Sequence, residues 1–374
     1  MNKIHMVDVV TEYKKHSVKI NEIIEDTLSS GSYIQGERVK SFEKMLSDFL
    51  DVKHVISCGN GTDALQVALM ALGLKMGDEV LVPSFTFVAT VETVCLLGYK
   101  PVFVDIDPNS FLLDIKSITK SITKKTKAII PVHLFGQCCN MGEIKFLAEK
   151  FNLFVIEDAA QSIGSKCKQE TNKWTYSGTI GDIGTTSFYP SKNLGCIGDG
   201  GAIFTNNSDL AKKIRLIVNH GQEERYKYKI IGLNSRLDAL QAAILSFKLT
   251  LLEDFIIKRK KIADLYNKAF STLSWLTVPV TQNYSDHVYH QYSLLLSTHI
   301  CRASFQNYLH EHGIPTMVYY PIPLHKQEAY HQYCTIPLPN SEKTSNCIIS
   351  IPMHPHLDSK QIDFICNTIK SYNQ

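Results

Sequence analysis

The 374-residue sequence has no apolar run long enough to span a bilayer and no apolar signal-peptide core near its N-terminus. It also lacks a strong charge of either sign, since 39 Lys and Arg residues stand against 36 Asp and Glu residues, a formal charge of +3. The basic residues are spread along the chain rather than clustered. These absences argue against membrane and nucleic-acid partners, and we expect a soluble cytoplasmic protein.

Paired cysteine motifs are missing as well. Ten cysteines are present, but no C-x-x-C occurs, and their spacing matches neither a zinc site nor a disulfide framework. We therefore expect reduced thiols packed as small hydrophobic side chains, and no metal site.

The composition, with 44% hydrophobic and 20% charged residues, is typical of a globular protein. The length exceeds what one hydrophobic core usually serves, so two domains, or one large domain with an appendage, are expected. From about residue 271 prolines recur and an α+β pattern fits better than the pattern before it. We predict a large domain over residues 1–250, which includes the N-terminal segment, and a smaller C-terminal α+β domain over 251–374.

Short β-rich runs alternate with amphipathic helical patterns between about residues 50 and 205. Such alternation predicts an α/β fold, with a mostly parallel sheet of about seven strands and helices on both faces. No helical pattern separates the last two strands, which allows a mixed sheet there. The predicted strands are His54–Ser57, Glu79–Val82, Pro101–Asp105, Ala128–Val132, Leu153–Ile156, Thr185–Phe188 and Gly201–Thr205, and the predicted helices are Asp63–Leu74, Gly142–Phe151, Leu237–Leu252 and Phe255–Phe270.

Ligands of open α/β sheets bind beyond the carboxyl ends of the strands, and polar residues follow several predicted strands here. In Ser57-Cys-Gly-Asn-Gly-Thr-Asp-Ala-Leu65 a strand ends, glycines turn and a helix begins. The N–H groups of Gly61 and Thr62 would be free at that helix N-terminus and could bind a phosphate. An ordinary glycine turn before a capped helix explains the segment equally well. No Gly-Lys-Ser/Thr follows, so it is not a Walker loop.

Lys192 lies between a turn-forming Pro-Ser pair and four glycines, in Ser187-Phe-Tyr-Pro-Ser-Lys-Asn-Leu-Gly-Cys-Ile-Gly-Asp-Gly-Gly201. An amine held in tight turns is a candidate Schiff-base former.

Asp158 ends an apolar strand, where it could pair with the nitrogen of a ligand ring or cap the next turn. After another strand, Phe85 is best explained as a core residue, and Phe87 as either a core residue or a stacking ring.

Together these segments supply a phosphate site, a carboxylate, a ring and a lysine, the set that pyridoxal 5'-phosphate requires. In this interpretation Lys192 carries the cofactor, and Asp158 keeps the pyridine nitrogen protonated. Lys192 would then shuttle a proton during the reaction, for which its pKa must lie well below the ordinary value of about 10.4.

At this point the sequence resembles the DegT/StrS family of nucleotide-sugar aminotransferases, which are fold-type I pyridoxal-phosphate enzymes. The resemblance covers nearly the whole chain. It rests on five segments in family order: Asn60-Gly-Thr-Asp-Ala-Leu65, Glu157-Asp-Ala-Ala-Gln161, Ser187-Phe-Tyr-Pro-Ser-Lys-Asn-Leu194, Gly198-Asp-Gly-Gly201 and Asn234-Ser-Arg-Leu-Asp-Ala-Leu-Gln241.

The resemblance implies a role for each matching residue. Lys192 would hold the cofactor, Asp158 would pair with its ring nitrogen, and Gln161 would hydrogen-bond its ring oxygen. Phe87 would take the stacking position. The phosphate ligands would be Gly61, Thr62 and Ser187, joined by Asn234 from a neighbouring subunit, so the resemblance also implies a homodimer with shared active sites.

Three further segments are similar to C3-aminotransferases that act on UDP-2-acetamido-2-deoxy-3-oxo-glucuronate in O-antigen synthesis, with glutamate as amino donor. They are His220-Gly-Gln-Glu-Glu-Arg225, Tyr319-Tyr-Pro-Ile-Pro-Leu-His325 and Ser350-Ile-Pro-Met-His-Pro355. Tyr319 stands where that group usually has histidine; a phenol can donate a hydrogen bond but carries no positive charge.

The candidate substrate-binding residues are Arg236, Tyr319, Tyr320 and His325. Arg236 is the best partner for a substrate carboxylate, because a guanidinium grips a carboxylate with two parallel hydrogen bonds. Its alternative role is an interface ion pair.

Three functions are alternatives to the aminotransferase of a 3-oxo-glucuronate. A C3-aminotransferase of a dTDP-3-oxo-6-deoxyhexose would share the Tyr-Pro-Ile-Pro segment. A dehydratase of the same family would carry histidine in place of Lys192, so the lysine argues against it. A non-catalytic regulator would need a DNA-binding signature, and the sequence shows neither a helix-turn-helix pattern nor a basic face.

Overall fold

The computed structural model describes residues 3–169, 172–334 and 336–372. Its strands in chain order are β1 His54–Cys58, β2 Glu79–Pro83, β3 Lys100–Val104, β4 Thr126–Ile129, β5 Phe154–Asp158, β6 Lys166–Lys168, β7 Trp174–Tyr176, β8 Ile183–Ser187, β9 Gly201–Thr205, β10 Gln222–Glu224, β11 Lys227–Tyr228, β12 Leu276–Thr277, β13 Ser285–Asp286, β14 Tyr292–Leu296 and β15 Ile348–Ile351. Its α-helices are α1 Val9–Ser29, α2 Glu37–Leu50, α3 Gly61–Leu72, α4 Ala89–Leu96, α5 Ile115–Ser121, α6 Met141–Phe151, α7 Ser208–Ile217, α8 Ala239–Leu249, α9 Leu252–Phe270, α10 Arg302–Glu311, α11 Pro339–Cys347 and α12 Ser359–Lys370.

A seven-stranded sheet with the order β1-β9-β8-β5-β4-β2-β3 forms the centre of the molecule. Only β9 runs against its neighbours, pairing antiparallel with β8 and β1, while the other pairings are parallel. The predicted α/β fold is therefore confirmed, and the antiparallel pair lies where no helix separates two strands. A consequence of this order is that the carboxyl ends of β5 and β8 lie side by side.

Helices cover both faces of this sheet because its strands are apolar on both sides. Along β2, Val80 and Val82 pack into the core that includes α3, while Leu81 packs into the core on the opposite face with α6. On β5, Val155 and Ile156 divide between the same two cores. Every residue of β2 is buried, so the end of the strand is firmly placed.

Most of the predicted strand and helix boundaries are wrong by one to three residues, and two of these differences have a clear physical cause. The strand predicted over Ala128–Val132 ends at Ile129, because Pro131 has no N–H group to continue the ladder. The helix predicted over Leu237–Leu252 is the shorter α8: the chain is still extended at Asp238, with a ψ of 146°, and turns again at Thr250 before α9 begins.

A further hydrophobic core lies towards the C-terminus. It joins the three-stranded sheet β12-β14-β15 to α9, α10 and α12, with Tyr292, Phe305 and Ile365 fully buried. Ile4 packs into this core as well, and β13 pairs with β6 of the preceding part of the chain. The division into residues 1–250 and 251–374 stays a prediction.

Across the ranges given above, none of the helices combines the length and the apolar character needed to cross a membrane. The cytoplasmic location stays a prediction.

Candidate active site

The carboxyl ends of several strands open into one cavity of about 750 Å³. It lies beyond β5 and β8 and is closed on one side by the Tyr319–Tyr320 segment. Nine of the residues singled out from the sequence line it: Gly61, Thr62, Phe87, Asp158, Gln161, Ser187, Lys192, Tyr319 and Tyr320. Asn234, Arg236 and His325 are not among its lining residues.

The N-terminus of α3 forms one end of the cavity. Asn60 caps this helix by accepting a hydrogen bond from the N–H of Asp63 at 2.8 Å, which leaves the first N–H groups of the helix unpaired within it. A Cβ atom at Gly61 would lie 2.6 Å from the Cβ of Ser187, so only glycine lets the two segments come this close. The arrangement offers Gly61, Thr62 and Ser187 to one anionic group.

Asp158 ends β5 with its carboxylate at the cavity wall. Its Oδ2 accepts a hydrogen bond from the Thr90 hydroxyl at 2.8 Å, and its Oδ1 accepts one from the N–H of Ala160 at 3.1 Å. The side chain is buried, so these two bonds fix its direction.

The neighbouring carboxylate of Glu157 has a different role. It accepts backbone N–H groups from the Gly178–Gly181 turn and contacts Nε2 of the buried His133 at 2.8 Å. The other ring nitrogen of His133 accepts the N–H of Cys139, so this histidine is bound on both sides. Glu157 therefore ties β5 to the turn before β8, and Asp158 is the carboxylate left for a ligand.

Lys192 enters the cavity from the turn between β8 and β9. Its side chain is partly buried, and the loss of hydration lowers the pKa of the amine to about 8, against the opposing effect of the Asp158 charge, which raises it. The direction matches the sequence-based expectation. At neutral pH a larger share of this amine is unprotonated than of an ordinary lysine.

The pKa of Lys192 gives a testable pH dependence. In the apoprotein, reductive methylation of Lys192 by formaldehyde and a hydride reductant such as cyanoborohydride requires the neutral amine, so its rate should rise as the pH increases through about 8. Asp158→Asn removes the charge that favours the ammonium form and should shift this rise to lower pH. Mass spectrometry of the digested protein follows the reaction, with solvent-exposed lysines as the internal control. A Lys192 profile that coincides with that of the exposed lysines would contradict the prediction.

Gln161 and Tyr320 form a hydrogen-bonded pair in the cavity wall. The N–H of Phe135 donates to Oε1 of Gln161 at 2.7 Å, and Nε2 of Gln161 donates to the Tyr320 hydroxyl at 3.1 Å. The first bond fixes the orientation of the amide, so its N–H groups face Tyr320 and the cavity. Phe87 is about half exposed and its ring centre lies 6.4 Å from that of Tyr320.

His325 is turned away from the cavity. Its Nδ1 contacts the hydroxyl of Ser84, and its Nε2 lies 3.1 Å from Oε1 of Glu342. Ser84 follows β2 directly, and its carbonyl also accepts the N–H of Leu324 at 2.8 Å. In this chain His325 therefore fastens the segment after Tyr320 to the end of β2, and both of its ring nitrogens are engaged.

Asn234 and Arg236 do not line the cavity, although Ser235 between them contacts Asp63, which does. Between them, the Ser235 hydroxyl accepts the N–H of Gly59 at 3.0 Å and donates to Asp63 at 2.6 Å, which fixes the segment to the turn before α3. Arg236 lines a separate cavity of about 270 Å³, together with Lys40, Glu43, Arg215 and Asn219. Its guanidinium donates to Oδ1 of Asn219 at 3.5 Å.

Sequence reasoning missed three residues at this site: His290 and Gln291 line the cavity, and Thr90, which is not among the lining residues, binds Asp158. Thr90 follows β2 at the start of α4, so the rule that sites lie at strand ends could have indicated it. His290 and Gln291 precede β14 in the C-terminal part and carry no local signal. Burial, with the charges of Lys192 and Arg259, holds the pKa of His290 well below its ordinary value, so a neutral ring stands in the cavity wall.

The residues at this site fit pyridoxal 5'-phosphate. An amine with a lowered pKa, a fixed carboxylate and a helix N-terminus lie on the wall of one cavity, matching the cofactor's aldehyde, ring nitrogen and phosphate. The glycine at position 61 keeps the phosphate end open.

The sequence matches the DegT/DnrJ/EryC1/StrS aminotransferase family over residues 14–370. It is 46% identical over 363 residues to the UDP-2-acetamido-2-deoxy-3-oxo-D-glucuronate aminotransferase of Pseudomonas aeruginosa, covering 97% of this chain and 98% of the relative. It is 37% identical over 358 residues to the dTDP-3-amino-3,6-dideoxy-alpha-D-galactopyranose transaminase of Aneurinibacillus thermoaerophilus, covering 96% of both chains. The solved structure of NtdA from Bacillus subtilis with bound cofactor PMP aligns at a TM-score of 0.87 and 34% identity, covering 95% of this chain and 81% of that chain. As the motifs predicted, the chain belongs to the DegT/DnrJ/EryC1/StrS aminotransferase family.

Proposed function

We propose that the protein is a pyridoxal-phosphate-dependent aminotransferase of a 3-oxo nucleotide sugar. The substrate is UDP-2-acetamido-2-deoxy-3-oxo-D-glucuronate, L-glutamate is the amino donor, and the 3-amino sugar serves surface polysaccharide (O-antigen) synthesis. The observation that carries the chemistry is the Lys192 amine, with its pKa near 8, in one cavity with Asp158 and the N-terminus of α3. The substrate is supported by the 46% identity to the Pseudomonas aeruginosa enzyme over nearly the full length of both chains.

The cofactor would be held by Gly61, Thr62 and Ser187 at the phosphate, Asp158 at the ring nitrogen and Lys192 at the aldehyde carbon. When bound, pyridoxal 5'-phosphate supplies an electron sink for the charge left on the substrate carbon. The other cofactor contacts are Gln161 at the ring oxygen, Phe87 against the ring face and Asn234 of a second subunit at the phosphate.

Lys192 and Asp158 are the two residues of this chain with a direct role in the proposed reaction. Asp158, directed by Thr90 and Ala160, stabilises positive charge at the ring nitrogen. With the cofactor bound, Lys192 would accept a proton from the carbon that bears the amino group and would donate it to the former aldehyde carbon of the cofactor. A pKa near 8 suits that exchange, because an amine titrating close to the working pH can both accept and donate.

A second copy of the chain completes the site in this proposal. Among the described residues that line the cavity, Lys192 is the one cation, whereas Asp63, Asp158 and Asp199 are carboxylates. Glutamate and the uronate bring carboxylates, and the nucleotide brings phosphates, so further positive charge is needed. Arg236 meets that need if the protein is a homodimer in which its segment reaches the cavity of the partner, with Tyr319 and Tyr320 as neutral hydrogen-bond donors.

A direct competition between substrates tests the proposal. With glutamate as donor, we expect turnover of UDP-2-acetamido-2-deoxy-3-oxo-D-glucuronate at a kcat/KM at least about 100-fold above that of a dTDP-3-oxo-6-deoxyhexose, since a paired carboxylate at C6 contributes a few kcal/mol. Amino-sugar formation is measured by mass spectrometry. The conversion of glutamate to 2-oxoglutarate in the absence of sugar is the control for competent enzyme.

The alternative substrate is favoured by the 37% identity to the dTDP-sugar transaminase of Aneurinibacillus thermoaerophilus. Turnover of the dTDP sugar alone would overturn the uronate assignment and leave the aminotransferase chemistry intact.

A further inference from the structure

The turn that carries Lys192 is held from outside the cavity by one face of α8. The Lys248 ammonium donates to the carbonyl oxygen of Gly195 at 2.7 Å, and the Gln241 side-chain oxygen accepts the N–H of Ile197 at 2.9 Å. The two α8 residues are seven positions apart, which places them on the same helix face two turns from each other. Both contacts lie within five residues of Lys192.

The turn that α8 holds is compact, so a displacement of Gly195 would also displace Lys192. The N–H of Lys192 donates to the carbonyl of Tyr189 at 2.8 Å, and the N–H of Cys196 donates to that of Phe188 at 2.8 Å. A Cβ atom at Gly195 would lie 2.6 Å from the Pro190 carbonyl oxygen. The chain therefore folds back on itself around Lys192, and the segments before and after the lysine are in close contact.

Lys248 is itself fixed by the N-terminal helix. It is only 8% exposed and its ammonium lies 2.6 Å from Oε1 of Glu12 on α1. Burial alone would raise the pKa of Glu12, but the His356 side chain and the Lys248 charge outweigh that effect and hold it below its ordinary value. Glu12 is thus the charged partner that lets Lys248 stay buried.

A buried ion pair of this kind adds little net stability, because the cost of desolvating two charges offsets their attraction. Replacing both members with neutral residues of similar size is often harmless to the fold. What the pair does add is a fixed direction for the ammonium, and that direction leads to Gly195.

We infer that Lys248, held by Glu12 and assisted by Gln241, is a positioning residue for Lys192, which makes α1 and α8 part of the support of the cofactor site. Lys248 is not among the residues that line the cavity, so it acts through the turn and not by contact with the cofactor. The inference rests on the proposed attachment of pyridoxal 5'-phosphate to Lys192.

The test is the double variant Glu12→Gln/Lys248→Met, which keeps the size of both side chains. We expect its apoprotein to unfold at nearly the wild-type temperature. We also expect about tenfold weaker binding of pyridoxal 5'-phosphate, the equivalent of one lost hydrogen bond to a charged group. Deuterium exchange of the apoprotein should become faster in peptides that cover residues 187–201. Lys248→Arg, which keeps the charge and the donor, should recover part of both effects.

The matched control is Asp254→Asn/Lys258→Met, which removes an exposed ion pair from α9 and should change neither binding nor exchange. A lower unfolding temperature with unchanged binding and exchange would mean a purely structural pair and would overturn the inference. If the double variant does not fold, Gln241→Met decides by the same two measurements. If the wild type takes up no cofactor, the proposed function fails, while exchange in residues 187–201 still decides whether Lys248 positions the turn.

Discussion

Replacing Lys192 with alanine is expected to abolish transamination and to remove the visible absorption band that wild-type protein acquires with pyridoxal 5'-phosphate. The variant loses the amine that attaches the cofactor and the group that moves the proton. Proton transfer alone contributes about 10²- to 10⁴-fold in rate, and the missing cofactor attachment adds to it, so we expect a loss of about 10⁴-fold or more. Amino-sugar formation and the absorption spectrum of the purified protein are the two measurements.

The fold should survive this change. Lys192 donates a hydrogen bond through its backbone N–H to the carbonyl of Tyr189, and the alanine variant keeps that bond. Unfolding temperature therefore serves as the internal check, and Lys258→Ala, an exposed lysine on α9, is the matched control. A Lys192→Ala protein that keeps the band would show that another residue carries the cofactor. A wild-type protein that stays colourless with added cofactor would favour the regulator instead of the enzyme.

Much of this site could be predicted from the sequence because its residues follow strands directly. Asp158 ends an apolar run, Gly61 opens a helix after another, and the glycines around Lys192 indicate tight turns without any tertiary information. The positions of the strands, and hence the seven-stranded sheet, followed from the same alternation of patterns. Local chemistry was sufficient wherever one segment of chain carries both the structural signal and the functional residue.

The features of the site that sequence reasoning did not predict depend on contacts between distant segments. Thr90 lies 68 positions before Asp158, and no local pattern marks the hydrogen bond between them. His325 resembles a substrate ligand in its motif, but its ring nitrogens are engaged by Ser84, 241 positions away, and by Glu342. Pairings of this kind are decided by how the segments pack, which a periodic pattern does not encode.

The case of Arg236 differs again, because its proposed partner lies on another molecule. Within this chain its guanidinium meets only the Asn219 side chain among the described hydrogen-bond partners, in a cavity separate from that of Lys192. Its role in binding a substrate carboxylate therefore stays a proposal tied to the homodimer.

The second large effect is expected for Asp158→Asn, which keeps the shape of the side chain and removes its charge. Without that charge, the positive form of the cofactor's ring nitrogen loses its buried partner, and we expect a fall of about 10²- to 10³-fold in the rate of the glutamate half-reaction. Thr90→Val is the matched variant. It leaves the carboxylate charged but removes one of the two hydrogen bonds that direct it, so we expect a smaller loss of about tenfold.

Comparing the two variants shows whether the reaction depends on the charge of the Asp158 carboxylate or only on its orientation. Single-turnover absorbance changes with glutamate measure the half-reaction, and the cofactor affinity of each variant, measured separately, excludes simple loss of cofactor. If Asp158→Asn lowers the rate of the half-reaction no more than Thr90→Val does, the carboxylate acts only as a hydrogen-bond acceptor. If Asp158→Asn lowers the rate more than Thr90→Val does, the reaction depends on the negative charge at the end of β5. The 2.8 Å hydrogen bond from Thr90 then serves to orient that carboxylate.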